Sequence, residues 1–199
     1  HIRGPRGGVA VGLLIEGINE VIATTEGNAA PMGIINRNGA LHMVLFRGSH
    51  TAENIVRDRW VVANFIFDPV LYVRTAFDDL PADAFTREEA GGTAVCRLRD
   101  AEAWAAFAAD VERAGDEAIV VRLTLLKEEV LDLRLHPVNR GFASIVDATV
   151  HATRYVGNRD PWLGRLIEHH AGLARKCGGP REWEALDLLL RYIADPARE

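Results

Sequence analysis

The sequence predicts an α+β protein: a β-rich body over about residues 1–136 followed by an all-helical extension over 137–199. Three observations carry that expectation. The first ~50 residues alternate short β-branched runs with turn residues, the pattern of an antiparallel meander or barrel. From Asn139 onward apolar residues recur at helical spacing, and Pro161 and Gly178-Gly179-Pro180 punctuate the run. The chain of 199 residues, 48% hydrophobic and 26% charged, can build one good core with a smaller appendage.

Residues 1–8 are rich in Gly, Pro and Arg, and Val9 to Ile15 is apolar. Gly17 to Thr25, Ala29 to Ile35 and Ala40 to Phe46 read as strands. Glu26-Gly27-Asn28 and Asn36-Arg37-Asn38-Gly39 separate them, and Asn38-Gly39 is a strong two-residue hairpin signal. A short helix is expected from Ser49 to near Arg59. Trp60 to Phe65 reads as a strand, Asp68-Pro69 as a break, and Val70 to Ala76 as a further strand. Asp78 to Gly92 is a polar excursion, and Thr93 to Leu98 a short strand. Asp100 to Ala114 reads as a helix: it is rich in Ala, and Trp104, Phe107, Ala108 and Val111 fall at helical spacing. Glu117 to Leu135 reads as one long strand or a hairpin. In the tail a first helix would place Phe142, Ile145, Val146, Thr149 and Val150 on one face. A second opens at Pro161 and runs to Cys177, and a third spans Glu182 to Ile193 with Trp183, Leu186, Leu190 and Ile193 as its stripe.

The net charge of −5 argues against a nucleic-acid partner. No apolar run reaches the ~18 residues of a spanning helix. His1 to Arg6 lacks the apolar segment of a signal peptide. Cys96 and Cys177 lie far apart, form no CxxC, and predict a reduced, cytoplasmic setting.

One stretch stands out chemically. Gly48-Ser49-His50-Thr51-Ala52-Glu53-Asn54 joins an apolar strand to a helix start. A helix N-terminus presents unpaired N–H groups and partial positive charge, so it suits an anion, and phosphate is the usual occupant. The hydroxyls of Ser49 and Thr51 and the amide of Asn54 would complete such a cradle. The plain alternative is that Ser49 or Thr51 only caps the helix. A second stretch, Asn28-Ala29-Ala30-Pro31-Met32-Gly33, places a proline and a glycine inside a strand. That fits an edge strand, or backbone facing a flat ring system.

The histidines predict no metal site. Glu168-His169-His170 has no HExxH spacing, and solvated or helix-end histidines are the expectation. His42 alternates with apolar neighbours and reads as a surface or interface residue. No Ser-His-Asp or Cys-His set emerges, and no catalytic residue is assigned. Asn139 and the pair His151 and Arg154 bracket the first tail helix and are candidates for a substrate-facing rim.

The segments Asn28 to Gly33, Gly48 to Asn54, Val61-Val62-Ala63-Asn64 with Asp68-Pro69, and Asn139-Arg140-Gly141-Phe142 running to Val150 to Arg154 together resemble a known family. It is an uncharacterised family of small archaeal and bacterial flavoproteins, catalogued as a domain of unknown function. It is related to the flavin reductases and pyridoxamine-phosphate oxidases. The resemblance implies an FMN-binding split β-barrel with a C-terminal three-helix extension, and a homodimer with FMN near the subunit interface. It implies that Gly48, Ser49, His50, Thr51 and Asn54 hold the FMN phosphate. The backbone of Ala30, Pro31, Met32 and Gly33 would lie against the isoalloxazine. It implies a redox role and points to pterin and one-carbon metabolism, with a non-catalytic flavin or nucleotide carrier, or a partner-docking module, as the alternative. His50 stands where the family usually has Arg, and Gly141 where Ala is usual.

Overall fold

The computed structural model describes residues 12–195 and divides them into two compact units. The apolar run expected from Val9 lies largely outside the described residues. The first unit comprises residues 12–66 and Pro81–Leu133, the second Phe67–Leu80 and the chain from Arg134 onward. The helical unit therefore takes in a segment from inside the first 136 residues as well as the C-terminal extension.

The first unit is a closed six-stranded antiparallel barrel with strand order β1-β2-β3-β8-β7-β4. Its strands are β1 (Gly17–Thr25), β2 (Asn28–Arg37), β3 (Ala40–Phe46), β4 (Trp60–Phe65), β7 (Ala103–Ala114) and β8 (Ala118–Val130). A separate hairpin, β5 (Phe85–Ala90) with β6 (Thr93–Leu98), packs on one outer face. One helix, α1 (His50–Asp58), links β3 to β4. The β2–β3 turn is the one the sequence signals: Asn38 and Gly39 sit at φ of 53° and 83°, as a two-residue turn with both residues left-handed requires.

The barrel interior is filled by alternate residues, among them Val21, Ala23, Ile34, Met43, Val61 and Phe107, all nearly inaccessible. Burying a large side chain of this kind contributes about 1.5–3 kcal/mol.

Four expectations are corrected here. Ala103–Ala114 is a strand, not part of a helix. Ala105, Phe107 and Ala109 point into the barrel, while Trp104 and Ala106 point out against the β5–β6 hairpin. Both faces are covered over residues 103–109, so no polar alternation marks that part of the strand, and its alanines mimic helix composition. Pro69–Phe77 is a helix, α2, not a strand. Asp68 caps it by accepting the Val70 N–H, Pro69 occupies its first turn, and the pair outweighs the β-branched content that follows. The polar excursion contains strand β5, closed on β6 by Gly91 and Gly92 at φ of 58° and 80°. The long strand expected to reach Leu135 ends as β8 at Val130.

The second unit packs α2 with α3 (Arg140–Asn158), α4 (Pro161–Cys177) and α5 (Pro180–Ala194). Asn139 and Asp160 cap α3 and α4 by accepting N–H groups of their first turns. The core holds Ile145, Ala148 and Ala152 of α3, Ile167, Ala171 and Ala174 of α4, and Leu186 and Leu189 of α5. The stripes are rotated from the sequence expectation. Val150 and Trp183 are exposed, while small Ala148 and Ala152 face inward and let the helices approach closely. Gly141 has a steric reason: a Cβ there would stand 2.5 Å from the Gly178 backbone.

Candidate functional site

The stretch Gly48 to Asn54 forms the corner between β3 and α1. Gly48 turns the chain at φ of 84°. Ser49 is the N-cap: its Oγ accepts the Ala52 N–H at 3.2 Å and donates to the Phe46 carbonyl at 2.8 Å. The first intrahelical bond runs from the Glu53 N–H to the Ser49 carbonyl, so the N–H groups of His50 and Thr51 precede the ladder. Gly48 and His50 are exposed and Ser49 half-buried, whereas Thr51 is buried. Thr51 Oγ1 accepts from Asn28 Nδ2 at 3.0 Å. Asn54 Nδ2 donates to Thr25 Oγ1 at 2.9 Å and to the Glu26 carbonyl at 3.2 Å. Thr51 and Asn54 thus fix α1 against the β1–β2 turn, while Gly48, Ser49 and His50 form the accessible lip of the helix end.

That tie brings the second stretch to the same corner, because Asn28 begins β2. Residues 28–36 pair with β1, but β2 pairs with β3 only over residues 35–37. The β2–β3 seam of the closed barrel is therefore unpaired alongside Ala30, Pro31, Met32 and Gly33, all half-buried. Pro31 needs no ladder partner on an open edge. A Cβ on Gly33 would stand 2.9 Å from Ile18 Cγ2 of β1, so a side chain there would have to displace Ile18. A helix N-terminus beside an open strand edge suits a molecule with an anionic end and a flat polar body. FMN has that shape, and the residues present fit it.

The motif Val61 to Asn64 has a structural role. Asn64, completely buried, donates through Nδ2 to the Ile22 carbonyl and to Thr24 Oγ1, both at 2.9 Å. Its Oδ1 accepts the Leu98 N–H at 2.7 Å. Thr24 Oγ1 in turn donates to the Cys96 carbonyl at 2.6 Å. The network binds the β5–β6 hairpin to the barrel wall. Asp68 likewise caps α2 and accepts two bonds from Arg181, at 3.0 and 2.7 Å.

The other sequence candidates do not converge. Asn139 caps α3, and Arg154 is exposed. His151 lies twelve residues along the same helix, so about 18 Å separates it from Asn139. His151 stacks on His170 of α4 with ring centroids 5.6 Å apart, and Nδ1 of each ring is buried with no hydrogen-bond partner. His170 is thus packed rather than solvated. Burial holds its pKa below the usual imidazole range, against the opposing pull of Asp147. No group of three metal-ligating side chains occurs among the described residues. His42 meets Glu112 at 3.1 Å on the outer barrel face. Burial, with Glu26 beside it, raises the Cys96 thiol, so it is no ready nucleophile. No helix among the described residues is long and apolar enough to cross a membrane.

The barrel with its partly unpaired β2–β3 seam, the α1 corner against β2 and the appended helices define the FMN-binding split β-barrel with a C-terminal three-helix extension. Residues 19–132 match the N-terminal domain, and residues 139–191 the C-terminal region, of the family described as "Protein of unknown function (DUF447)". The chain belongs to that family. It is 37% identical to an FMN-bound family member from Methanosarcina mazei, with a TM-score of 0.84 over 89% of this chain and 96% of that one. More distant likenesses include 2-nitrobenzoate 2-nitroreductase from Pseudomonas fluorescens, at 16% identity and TM-score 0.45 over 60% and 68% of the two chains. Flavoredoxin from Methanosarcina acetivorans follows at 12% identity and TM-score 0.45 over 67% and 78%.

Proposed function

We propose that this protein binds FMN and acts as an oxidoreductase of the flavin-reductase-like type, as a cytoplasmic homodimer with the flavin near the subunit interface. The observation that carries the reading is the α1 N-terminus set against the unpaired edge of β2, in a chain 37% identical to an FMN-bound relative. The lip Gly48, Ser49 and His50 would receive the phosphate, with Thr51 and Asn54 holding the lip in place. The Ala30 to Gly33 edge would face the ring system. Bound FMN would supply hydride or electron transfer, and the chain's part is to anchor and orient it.

Support for a second copy comes from the barrel exterior. Ile18, Val44 and Phe46 are large apolar residues with more than half of their surface exposed. They lie on the outer side of β1 and β3, flanking the open seam. Isologous contact through this face would set two seams close together.

The test is an absorbance titration. The purified protein is mixed with FMN, unbound flavin is removed, and the bands near ~375 and ~450 nm are read. Wild type should retain flavin, and Ser49→Ala with Thr51→Ala should retain at least about tenfold less. Undiminished retention in the double variant removes the phosphate assignment. Reduction of the bound flavin by NADH or NADPH, against a free-FMN control, separates an oxidoreductase from a flavin carrier. A reduced pterin belongs among the substrates tried.

A further inference from the structure

The two flanks of α1 differ. Thr51 and Asn54 face the β1–β2 turn, where the flavin reading applies. The opposite flank, Ala52, Glu53, Val56 and Arg59, borders a cavity of about 650 Å³ whose far wall is the β7–β8 hairpin. At 100° per residue the two sets lie roughly 150° apart around the helix. The cavity floor is apolar: Ala52, Val56, Val111, Ala114 and Ile119 line it, and Gly48 of the flavin corner borders it. Val56 is 47% exposed there, an apolar side chain left facing a hollow. The charged groups of the lining are Arg47, Arg59 and Glu53, a net single positive charge.

Both arginines are held at the rim by the fold. Arg47 donates its backbone N–H to the Glu117 carbonyl and one guanidinium N–H to the Gly115 carbonyl, each at 2.9 Å. It is thus pinned against the hairpin mouth with a charge-bearing fork beside the apolar floor. Arg59 ends α1 in the left-handed region, at φ of 60°. Glycine or asparagine is the usual residue there, because a Cβ is disfavoured. Arg159 at the end of α3 shares that conformation, but its guanidinium lies over the Tyr155 ring and bonds the Ile193 carbonyl at 2.8 Å. Among the described residues the Arg59 side chain makes no ion pair, and it lines the cavity. An apolar pocket of this size with a few convergent polar groups is the usual form of a small-molecule site.

We propose that this cavity is a second binding site, adjoining the flavin corner at Gly48, for a small amphipathic monoanion: an aromatic or short aliphatic body carrying one carboxylate or sulfonate. The body lies on Val56, Val111 and Ile119, and the anion meets Arg47 and Arg59. The site lies across α1 from the open β2 seam, so its occupant is a regulator or cargo rather than a group reduced by the flavin.

The test uses FMN-saturated protein and the fluorescent aryl sulfonate ANS as probe. Wild type should bind one equivalent with a blue-shifted emission. Octanoate should displace it, and octylamine at the same concentration should not. Arg59→Gly removes the guanidinium and relieves the left-handed backbone, so the variant stays folded. It should weaken ANS binding about tenfold while its melting temperature holds or rises. Val56→Asp should do the same by placing a carboxylate on the floor. Arg57→Ala, on α1 but outside the lining, should change nothing. Equal ANS binding by wild type, Arg59→Gly and Val56→Asp overturns the proposal, as does displacement by octylamine as effective as by octanoate. FMN retention, read by absorbance on the same samples, reports on the flavin corner separately.

Discussion

Asn64 offers the sharpest test of how the barrel is held together. Its side chain is completely buried and satisfies three groups: the Ile22 carbonyl, the Thr24 hydroxyl and the Leu98 N–H. Asn64→Ala leaves the Leu98 N–H without its acceptor in a site water does not reach. An orphaned buried donor costs about 1–3 kcal/mol, and the space left by the amide adds roughly 1 kcal/mol. The expected loss is about 2–4 kcal/mol. For a chain of this size that corresponds to a fall in melting temperature of about 5–12 °C. Asn64→Asp is the informative companion. It keeps an acceptor for Leu98 but turns a carboxylate oxygen toward the Ile22 carbonyl, so it should be at least as damaging despite its near-identical shape. Urea unfolding followed by circular dichroism measures both. Thr24→Val, made alone and with Asn64→Ala, should show a coupling above ~0.5 kcal/mol, since the two side chains share a bond. An Asn64→Ala variant within about 0.5 kcal/mol of wild type would refute the claim that this network fixes the β5–β6 hairpin to the barrel.

Two further outcomes follow from the helical unit. Burial keeps His170 neutral in the folded state at pH values where the unfolded chain would protonate it. Its contribution is therefore fully present above the unfolded pKa of about 6.5 and is lost as pH falls toward the lower folded value. The melting temperature of wild type should drop more between pH 7.5 and 5.5 than that of His170→Phe, and equal drops would exclude the histidine as the source. At Asp68 the cap and the ion pair can be separated. Arg181→Met should cost under ~1 kcal/mol, because the guanidinium is about half exposed, and the cost should shrink in high salt. Asp68→Ala loses the cap of α2 as well and should cost about 1 kcal/mol more by urea unfolding.

What the sequence announced and what it hid divide along a physical line. Local chemistry was legible. Asn38-Gly39 encoded its turn, Ser49 and Asn139 their helix starts, and Pro161 the opening of α4. In each case one residue's backbone preference or one side-chain oxygen decides the outcome. Tertiary context was hidden. The alanines of β7 favour a helix in isolation, and only the barrel interior on one side and the β5–β6 hairpin on the other make them a strand. Asp68-Pro69 did contain a usable signal, because a capping residue followed by proline marks a helix start more often than it ends a strand. Gly91-Gly92 likewise marked the hairpin that the polar strand β5 obscured.

The candidate site divides along the same line, with a consequence for its chemistry. The corner Gly48 to Asn54 was readable because helix ends carry a recognisable residue set. Which of its members face outward was not, since that depends on partners 23 to 29 residues away in sequence: Asn28 for Thr51 and Thr25 for Asn54. The two residues that look most like phosphate ligands are the braces, and the accessible lip is Gly48, Ser49 and His50. The lip therefore depends on backbone N–H groups more than on side-chain charge. On that geometry a change of the side chain at His50 leaves the helix-end donors in place. Anion affinity here should consequently respond more to substitutions that move α1, at Thr51 or Asn54, than to His50→Ala. A larger loss of FMN retention in His50→Ala than in Asn54→Ala would reverse that ranking and place the charge, not the helix end, at the centre of the site.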